Sequence, residues 1–535
     1  MVAGLLAGAV GVCVGYLVSG FTGPVGSPVV ATAELAIDLS PQPVKSFAIR
    51  EFGTHDKLVL QIGVLVVLAL FAAAIGVLAE RRERTGLTGV AIFAAIGLVA
   101  AGTRPTATAV DLLPSLVGAA AAGFALVRLT RAAGPLAGSP PARTQATWPA
   151  AKHDEPGQEV EGSPASQPPP ARAASLRVAP PPRRQFITGS VVAAGAAAVS
   201  YFGGRLLTER KSVAEAVESL HLPPPTKPAP GLPAGADLRI PGLSSFVTPN
   251  AKFYRVDTAI VLPQIPPKSW QLRIHGMVSR ELTLSFHDLL KRPLIESDIT
   301  LTCVSNPVGG PYIGNARWLG TSLGALLREA GIRSGADQLY CTSSDGFTSG
   351  TPVETAMDGR DALLAIGMNG KALPTAHGFP VRTVVPGLYG YVSACKWITD
   401  IEVTTYAANH SYWAEQGWSQ QAPIKTESRI DVPSGQGPVK AGKSVIAGVA
   451  WAQHKGIDAV EVRIDGGPWQ QARLAAVPGI DTWRQWSIGW NATPGTHRIE
   501  ARATDATGYT QTALTVPPEP NGATGYPIVT VTVTR

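Results

Sequence analysis

The sequence predicts a chain in three parts: an N-terminal transmembrane helical region, an α+β domain, and a C-terminal all-β sandwich of the immunoglobulin type. Three observations lead to this fold class. Long apolar runs fill the first 133 residues. Over 241–425, short strand patterns mix with helix patterns, including capped helices predicted at 285–291 and 322–331. Over 426–535, short alternating strands recur between Gly, Asn and Pro turns. At 535 residues, the chain is long enough for three or four domains.

Composition narrows the class of protein. Charged residues make up only 16% of the chain, which is low for a wholly soluble protein. The net charge of +7 comes from basic residues that are scattered or that flank apolar runs, with no basic stripe between aromatic residues. We therefore interpret it as membrane topology and expect no nucleic-acid partner. Four cysteines without a CxxC motif exclude a disulfide framework, a zinc ribbon and an iron–sulfur pattern.

The region 1–133 is predicted to cross a membrane four times. Each apolar run is near the roughly 20 residues that a crossing requires, and the runs lie at 3–20, 58–79, 87–102 and 111–129. Arginines follow the second and fourth runs, so the positive-inside rule puts those ends in the cytoplasm and the loop 21–57 outside. The many Gly and Ala residues suit close helix packing.

No haem is expected in this region. His55 is the only histidine before His153, and it lies at a membrane edge. Axial ligation of a b-type haem usually requires histidines within helices. An anchoring role is therefore predicted for 1–133.

Two proline-rich stretches flank a second apolar segment. Residues 134–182 are rich in Pro, Ala and Ser and are predicted to be a disordered linker, while 208–240 form a proline-rich spacer. Between them, Arg183–Arg184 precede Phe186 and a weakly apolar run. Residues 183–207 are thus either a twin-arginine signal or a fifth transmembrane helix. Both alternatives place the following residues outside the membrane, so we expect a multi-pass cell-membrane protein with an extracytoplasmic catalytic domain.

The most informative stretch surrounds Cys303. Ile299, Leu301 and Cys303 alternate as in a strand that ends at the cysteine, and an Asn-Pro-Val-Gly-Gly run then makes a turn. A thiol at the end of a strand, facing a glycine-rich loop, can be approached closely. A thiolate is a soft ligand that suits a transition metal. One cysteine is too little to hold the ion, so another group must hold the rest of it.

The segment TCVSNPVGG…IGNARWLG closely resembles the molybdenum-ligand segment of the sulfite-oxidase family of molybdopterin enzymes. The resemblance implies a sulfite-oxidase-like molybdopterin domain over 241–425, Mo-molybdopterin as cofactor, and Cys303 as metal ligand and catalytic residue. In that family, a pterin dithiolene supplies two more sulfurs. The pterin is loaded in the cytoplasm, so such a domain would cross the membrane already folded, which suits a twin-arginine signal.

A second match covers 363–405, where LLA-x-x-MNG, HGFPVR, VVPG and KW stand at the family's spacings. Donors and positive charge in this stretch suit a phosphate-bearing pterin. With the upstream positions, the resemblance implies a cofactor-binding set made of Asn250, Arg255, Val256, Asp345, His377, Arg382, Ser393 and Lys396.

The segment FYRVD resembles the family segment whose arginine faces the substrate anion. Arg255 takes that place and, with Arg317, is predicted to orient the substrate. The alternative is a surface arginine paired with Asp257. Sulfite oxidases carry a tyrosine in the LLAYEMNG segment, and here Ile366 occupies that position. The resemblance therefore leaves open which small oxyanion or S-oxide exchanges an oxygen atom.

Two rival functions remain from the sequence: an S-oxide reductase of the methionine sulfoxide type, and a catalytically inactive envelope binding protein that keeps the fold. Electrons would pass to a separate cytochrome or quinone-linked partner, since the sequence shows no recognisable motif for a second redox cofactor. Residues 426–535 resemble the dimerisation domain of sulfite oxidases, which implies a homodimer. Cys341 alternates with Leu339 in an apolar strand and is predicted to be a structural buried thiol.

Overall fold

The computed structural model describes the whole chain except residues 24–25, 42–43, 45–46, 48–50, 53–55, 105–106, 134–181 and 211. His55 and, apart from its last residue, the predicted linker 134–182 lie outside the described residues. Two compact units are present. The first comprises Met1–Leu35, Leu60–Gly102 and Thr108–Thr208, and the second comprises Ala36–Val59, Thr103–Ala107 and Glu209–Arg535.

Long helices make up the N-terminal part. They are α1 (Val2–Thr22), α2 (Pro28–Leu39), α3 (Asp56–Arg81), α4 (Glu83–Gly102), α5 (Leu113–Ala133) and α6 (Pro182–Arg210). Among the described residues, five are long and apolar enough to cross a membrane by length and composition: α1, α3, α4, α5 and α6. The four predicted runs coincide with the first four of these five.

Helix α2 was not predicted, since 21–57 was expected to be a connecting loop. Its sequence nevertheless favours a helix. Pro28 occupies the first helical position, where its missing N–H is not needed, and Ala, Leu and Glu follow. Ala31 and Ala33 are fully buried, so packing also stabilises it.

Small residues allow the helices of the first unit to approach closely, as their composition predicted. A side chain on Gly118 of α5 would lie 2.6 Å from the carbonyl oxygen of Gly11 of α1. A side chain on Gly4 would collide with the backbone of α3 at Ala72 and Gly76. Backbones this close gain van der Waals contact that larger residues would prevent.

One mixed sheet and one antiparallel sheet form the α+β domain. Their strands are β1 (Gln271–Gly276), β2 (Leu282–Ser285), β3 (Leu294–Thr302), β4 (Ile313–Ser322), β5 (Gln338–Ser343), β6 (Thr348–Pro352), β7 (Leu363–Met368), β8 (Lys371–Ala372), β9 (Arg382–Val384) and β10 (Ile398–Thr404). One sheet has the order β2-β1-β10-β5-β6, with β1 and β10 parallel. The other has the order β3-β4-β7-β8, with β9 paired to β7.

Short helices connect these strands: α7 (Ala214–Ser219), α8 (Phe286–Leu290), α9 (Leu323–Ala330), α10 (Val353–Met357), α11 (Gly390–Ser393) and α12 (Tyr412–Glu415). The predicted helices at 285–291 and 322–331 are confirmed as α8 and α9. Ser285 and Ser322 accept hydrogen bonds from backbone N–H groups in the first turns. Gly331 ends α9 with φ of 71°, a conformation that favours glycine.

One hydrophobic cluster of the domain packs beneath the Cys303 strand. It joins Ile299 and Leu301 of β3 to Trp318 of β4 and to Phe253 and Phe379, all nearly or fully buried. Gly314 is required here, because a side chain on it would lie 2.8 Å from the Phe253 ring. Cys341 is fully buried in a neighbouring cluster, which confirms its prediction as a buried thiol.

Two further sheets form the C-terminal part, with strands β11 (Glu427–Val432), β12 (Val439–Lys440), β13 (Gly442–Trp451), β14 (Ile457–Ile464), β15 (Gln470–Gln471), β16 (Arg473–Leu474), β17 (Arg484–Ala492), β18 (Gly495–Asp505) and β19 (Ile528–Thr534). Their orders are β11-β13-β17-β16 and β12-β19-β18-β14-β15. Ile446 and Trp486 of one sheet share a core with Val460 and Ile499 of the other. One pair of strands differs from the antiparallel pairing expected of an immunoglobulin-type sandwich: β12 and β19 run parallel.

Candidate active site

Cys303 follows the last residue of β3 and lies in a closed turn. Its N–H donates to the carbonyl oxygen of Tyr312 at 3.0 Å, and its carbonyl oxygen accepts from the N–H of Asn306 at 3.1 Å. Burial raises the pKa of the Cys303 thiol, while hydrogen bonds from Ser305 and the charge of Lys396 oppose that rise. The chain therefore provides the donors and positive charge that a bound thiolate requires.

Arg382 is a buried cation without a carboxylate partner among the described residues. Its guanidinium donates to the carbonyl oxygens of Thr383 at 3.3 Å, His377 at 3.2 Å and Ala394 at 3.3 Å. It also lies 5.1 Å from the ring centre of Trp318. Burial lowers the pKa of Arg382 to about 10, so it stays charged at neutral pH. Such a charge is costly unless an anion joins it.

His377 lies beside this cation and is neutral. Burial and the charge of Arg382 lower its pKa to about 4, although a hydrogen bond to the backbone of Asn250 opposes the shift. Its Nε2 lies 3.1 Å from the carbonyl oxygen of Asn250. A carbonyl can only accept, so we assign the proton to Nε2 and leave Nδ1 as an acceptor.

This histidine predicts a pH dependence of stability. Below about pH 6.5 the unfolded chain protonates His377, whereas the folded protein does so only near pH 4. Unfolding therefore takes up a proton in this window, and the free energy of unfolding should fall as the pH drops, by roughly 3 kcal/mol at most. Thermal unfolding of cofactor-free protein at several pH values measures this fall, and His377→Gln should reduce it.

His497 provides a control of opposite sign. A hydrogen bond that His497 donates to Asp465 raises the pKa of His497, so its contribution to stability is present at low pH and is lost as the pH rises. His497→Gln should therefore leave the acid-side fall in place or enlarge it. An identical pH profile for wild-type protein and His377→Gln would contradict the assignment.

Asp257 gathers three basic side chains at the edge of this region. Arg255 donates to its carboxylate at 2.9 and 3.2 Å, and Lys396 donates at 2.6 Å. Lys57, from the segment Ala36–Val59 of the same unit, also pairs with it and donates to the Ala259 carbonyl oxygen at 2.6 Å. Burial opposes ionisation of Asp257, but the charges of Lys396 and Lys57 prevail and hold its pKa far below the usual range.

The balance of charge favours an anionic ligand. Burial lowers the pKa of Lys396 to about 8, yet Asp257 keeps it largely protonated at neutral pH. Arg382, Lys396 and Arg255 are thus three buried or half-buried cations, and Asp257 is the one carboxylate paired with two of them among the described residues. Around them, the buried Asn306 Nδ2 and Ser344 Oγ have no hydrogen-bond partner in the described structure. Uncompensated cations with unused polar atoms fit a phosphate-bearing pterin.

Several predicted cofactor-binding residues have no side-chain contact with this cluster in the described structure. The Asn250 side chain bonds Asn369 and the Met368 carbonyl oxygen, and the Ser393 hydroxyl donates to the carbonyl oxygens of Leu388 and Tyr389. Asp345 accepts from the N–H of Phe347 in a loop tied to Trp397, and Val256 is 41% exposed.

Arg317 is not brought to Cys303. In the antiparallel register, Arg317 lies opposite Asp298. Asp298 is five residues before Cys303, so this point of the strand is roughly 15 Å from the cysteine. Its guanidinium donates to Asp298 at 2.7 and 2.9 Å and to the Pro230 carbonyl oxygen at 3.0 Å. Arg317 therefore forms a structural ion pair with Asp298 and does not lie near the Cys303 sulfur.

Sequence reasoning missed three residues of the cluster. Ser305 adjoins Cys303 and could have been found by asking what stabilises a thiolate. Tyr254 adjoins Arg255, and its hydroxyl lies across a small space at Gly390 from the carbonyl oxygen of Thr302, the residue before Cys303. The local sequence did not indicate Lys57, because it is distant in sequence from the rest of the cluster and directly precedes an apolar run.

Comparison with known proteins agrees with this geometry. The model of the oxidoreductase molybdopterin-binding domain matches residues 259–413. The chain is 31% identical over 310 residues to sulfite oxidase of Gallus gallus, covering 49% of this chain and 67% of that protein. It is 32% identical over 150 residues to the uncharacterized oxidoreductase YuiH of Bacillus subtilis (strain 168), covering 28% of this chain and 72% of that one.

Mitochondrial sulfite oxidase of Rattus norvegicus is 30% identical over 291 residues, or 46% of this chain. The chain spans about half the length of that relative, 53%. The segment matched by the family model, 259–413, contains Cys303, His377, Arg382 and Lys396. The chain belongs to the sulfite-oxidase family of molybdopterin oxidoreductases.

Proposed function

We propose that this protein is a membrane-anchored molybdopterin-dependent oxidoreductase that transfers an oxygen atom to or from a small oxyanion or S-oxide on the outer face of the membrane. The excess of buried positive charge beside Cys303 carries the proposal. A site with this balance suits both an anionic cofactor phosphate and an anionic or strongly polar substrate.

Cys303 would hold the metal through its sulfur, with Ser305 donating to that sulfur. Arg382, Lys396 and neutral His377 would hold the pterin and its phosphate. When bound, the cofactor would supply a metal centre that exchanges an oxygen atom and two electrons. Arg255 keeps Nη1 without a hydrogen bond to any described residue, so it can donate to a substrate oxygen while Asp257 fixes the rest of its guanidinium.

The five apolar helices support anchoring, and the positive-inside rule supports an extracytoplasmic catalytic domain. The segment after Arg184 would serve as a twin-arginine signal or as the fifth crossing. The two packed C-terminal sheets would form an immunoglobulin-like dimerisation domain. Electrons would leave through a separate cytochrome or quinone-linked protein.

A dye-linked assay in both directions tests the proposal. Sulfite and alkyl sulfoxides, including methionine sulfoxide, would be offered to the full chain in detergent. Turnover of at least one class, proportional to molybdenum content, is expected. Purified protein without molybdenum or pterin fluorescence would instead favour an inactive member that keeps the fold.

A further inference from the structure

The side chain of Tyr254 has an unused hydroxyl at the Cys303 site. Its ring stacks on Phe253 at 5.3 Å, and Phe253 in turn packs edge-on against Trp318 and His377, so the ring is held firmly. The hydroxyl makes no hydrogen bond to any described residue, yet it is absent from the fully buried unsatisfied atoms. The hydroxyl oxygen therefore keeps some accessible surface.

A small space at Gly390 lies between this hydroxyl and the peptide that leads to the metal-ligand cysteine. A methyl group placed on Gly390 would lie 3.7 Å from the Tyr254 hydroxyl oxygen and 3.6 Å from the carbonyl oxygen of Thr302. This carbonyl belongs to the peptide group that joins Thr302 to Cys303. The hydroxyl and this peptide thus border the same small space. Gly390 leaves that space empty because it has no side chain.

Tyr254 offers a hydroxyl donor that the residue at position 366 lacks. Ile366, which stands where sulfite oxidases carry a tyrosine, is fully buried in the hydrophobic core and has no donor. The ordinary pKa of a tyrosine is about 10, so the Tyr254 hydroxyl keeps its proton at neutral pH. A firmly held neutral phenol with an open donor position is suited to bind an oxygen atom.

We propose that Tyr254 donates a hydrogen bond to an oxygen atom of the small oxyanion or S-oxide bound in front of Cys303. This inference rests on the proposed function, since it requires a substrate at the loaded site. The arrangement also explains why the phenol is fixed by ring stacking: the donor is oriented before the substrate arrives.

Sulfate binding to the molybdenum-loaded full chain, measured by titration calorimetry, tests the inference. Tyr254→Phe keeps the stacked ring and removes only the hydroxyl. It should weaken sulfate binding about tenfold or more, the usual effect of a lost hydrogen bond to a charged group. Molybdenum content, pterin content and the unfolding temperature should stay at their wild-type values.

Tyr406→Phe is the matched control. Tyr406 is a half-buried tyrosine that donates to the Gly350 carbonyl oxygen at 3.1 Å, and its loss should not change sulfate affinity. Equal sulfate affinity in Tyr254→Phe and wild type would overturn the inference, as would a wild-type protein that binds no sulfate. A fall in cofactor content in Tyr254→Phe would also overturn it, because the hydroxyl would then contact the pterin. If the wild-type protein carries molybdenum, each of these results leaves the proposed function standing.

Discussion

Replacing Arg382 by methionine should lower the molybdenum and pterin content of the purified protein at least tenfold. Its guanidinium is 5% exposed and is bonded only to three carbonyl oxygens. No described carboxylate neutralises it, so a bound phosphate would gain a charge-assisted, desolvated contact that methionine cannot give. Metal analysis and pterin fluorescence measure the loss.

Two further variants separate cofactor binding from folding. Arg382→Lys retains the charge without the planar fork and should keep an intermediate cofactor content. Arg463→Met removes an arginine paired with Glu500 on the C-terminal sheets and should leave cofactor content unchanged. Full molybdenum content in folded Arg382→Met would mean that the buried charge does not face the cofactor.

Asp257→Asn should destabilise the protein by about 3–5 kcal/mol, because it removes the one carboxylate that faces three basic side chains. The Asp257 side chain is 5% exposed, so water cannot replace the lost charge effectively. Chemical unfolding of the full chain in detergent, followed by tryptophan fluorescence, measures the change. The loss should be smaller when the cofactor phosphate is bound and supplies negative charge nearby.

An exposed ion pair serves as the control for the Asp257→Asn variant. Arg273 and Glu281 lie 2.9 Å apart with more than half of each side chain exposed, so Glu281→Gln should cost less than about 1 kcal/mol. If Asp257→Asn were equally mild, the basic side chains would not depend on this carboxylate, and the described cluster would be wrong.

Local signals account for what the sequence predicted well. The strand leading to Cys303 and the turn after it follow from alternation and from glycine and proline. The caps at Ser285 and Ser322 follow from short-range hydrogen-bonding patterns. Family resemblance placed His377, Arg382 and Lys396 together, although composition alone would have made each of them a structural residue.

Long-range pairing accounts for what the sequence did not predict. Arg317 is near Cys303 in sequence, but the antiparallel register of β3 and β4 places it opposite Asp298. Lys57 joins Asp257 through a contact between segments that no local pattern links. Strand β12 has only two residues, too few to show any periodicity, so its parallel pairing with β19 could not be foreseen.

The central claim is that the sulfur of Cys303 binds a molybdenum ion that an organic dithiolene already holds. X-ray absorption at the molybdenum edge, on wild-type protein and on Cys303→Ser, tests it most directly. Cys341→Ser, which alters a fully buried thiol in the core, is the control. We expect Cys303→Ser to lose one sulfur neighbour of molybdenum, and with it turnover, while the control keeps the wild-type spectrum. An unchanged sulfur count and full activity in Cys303→Ser would contradict the account.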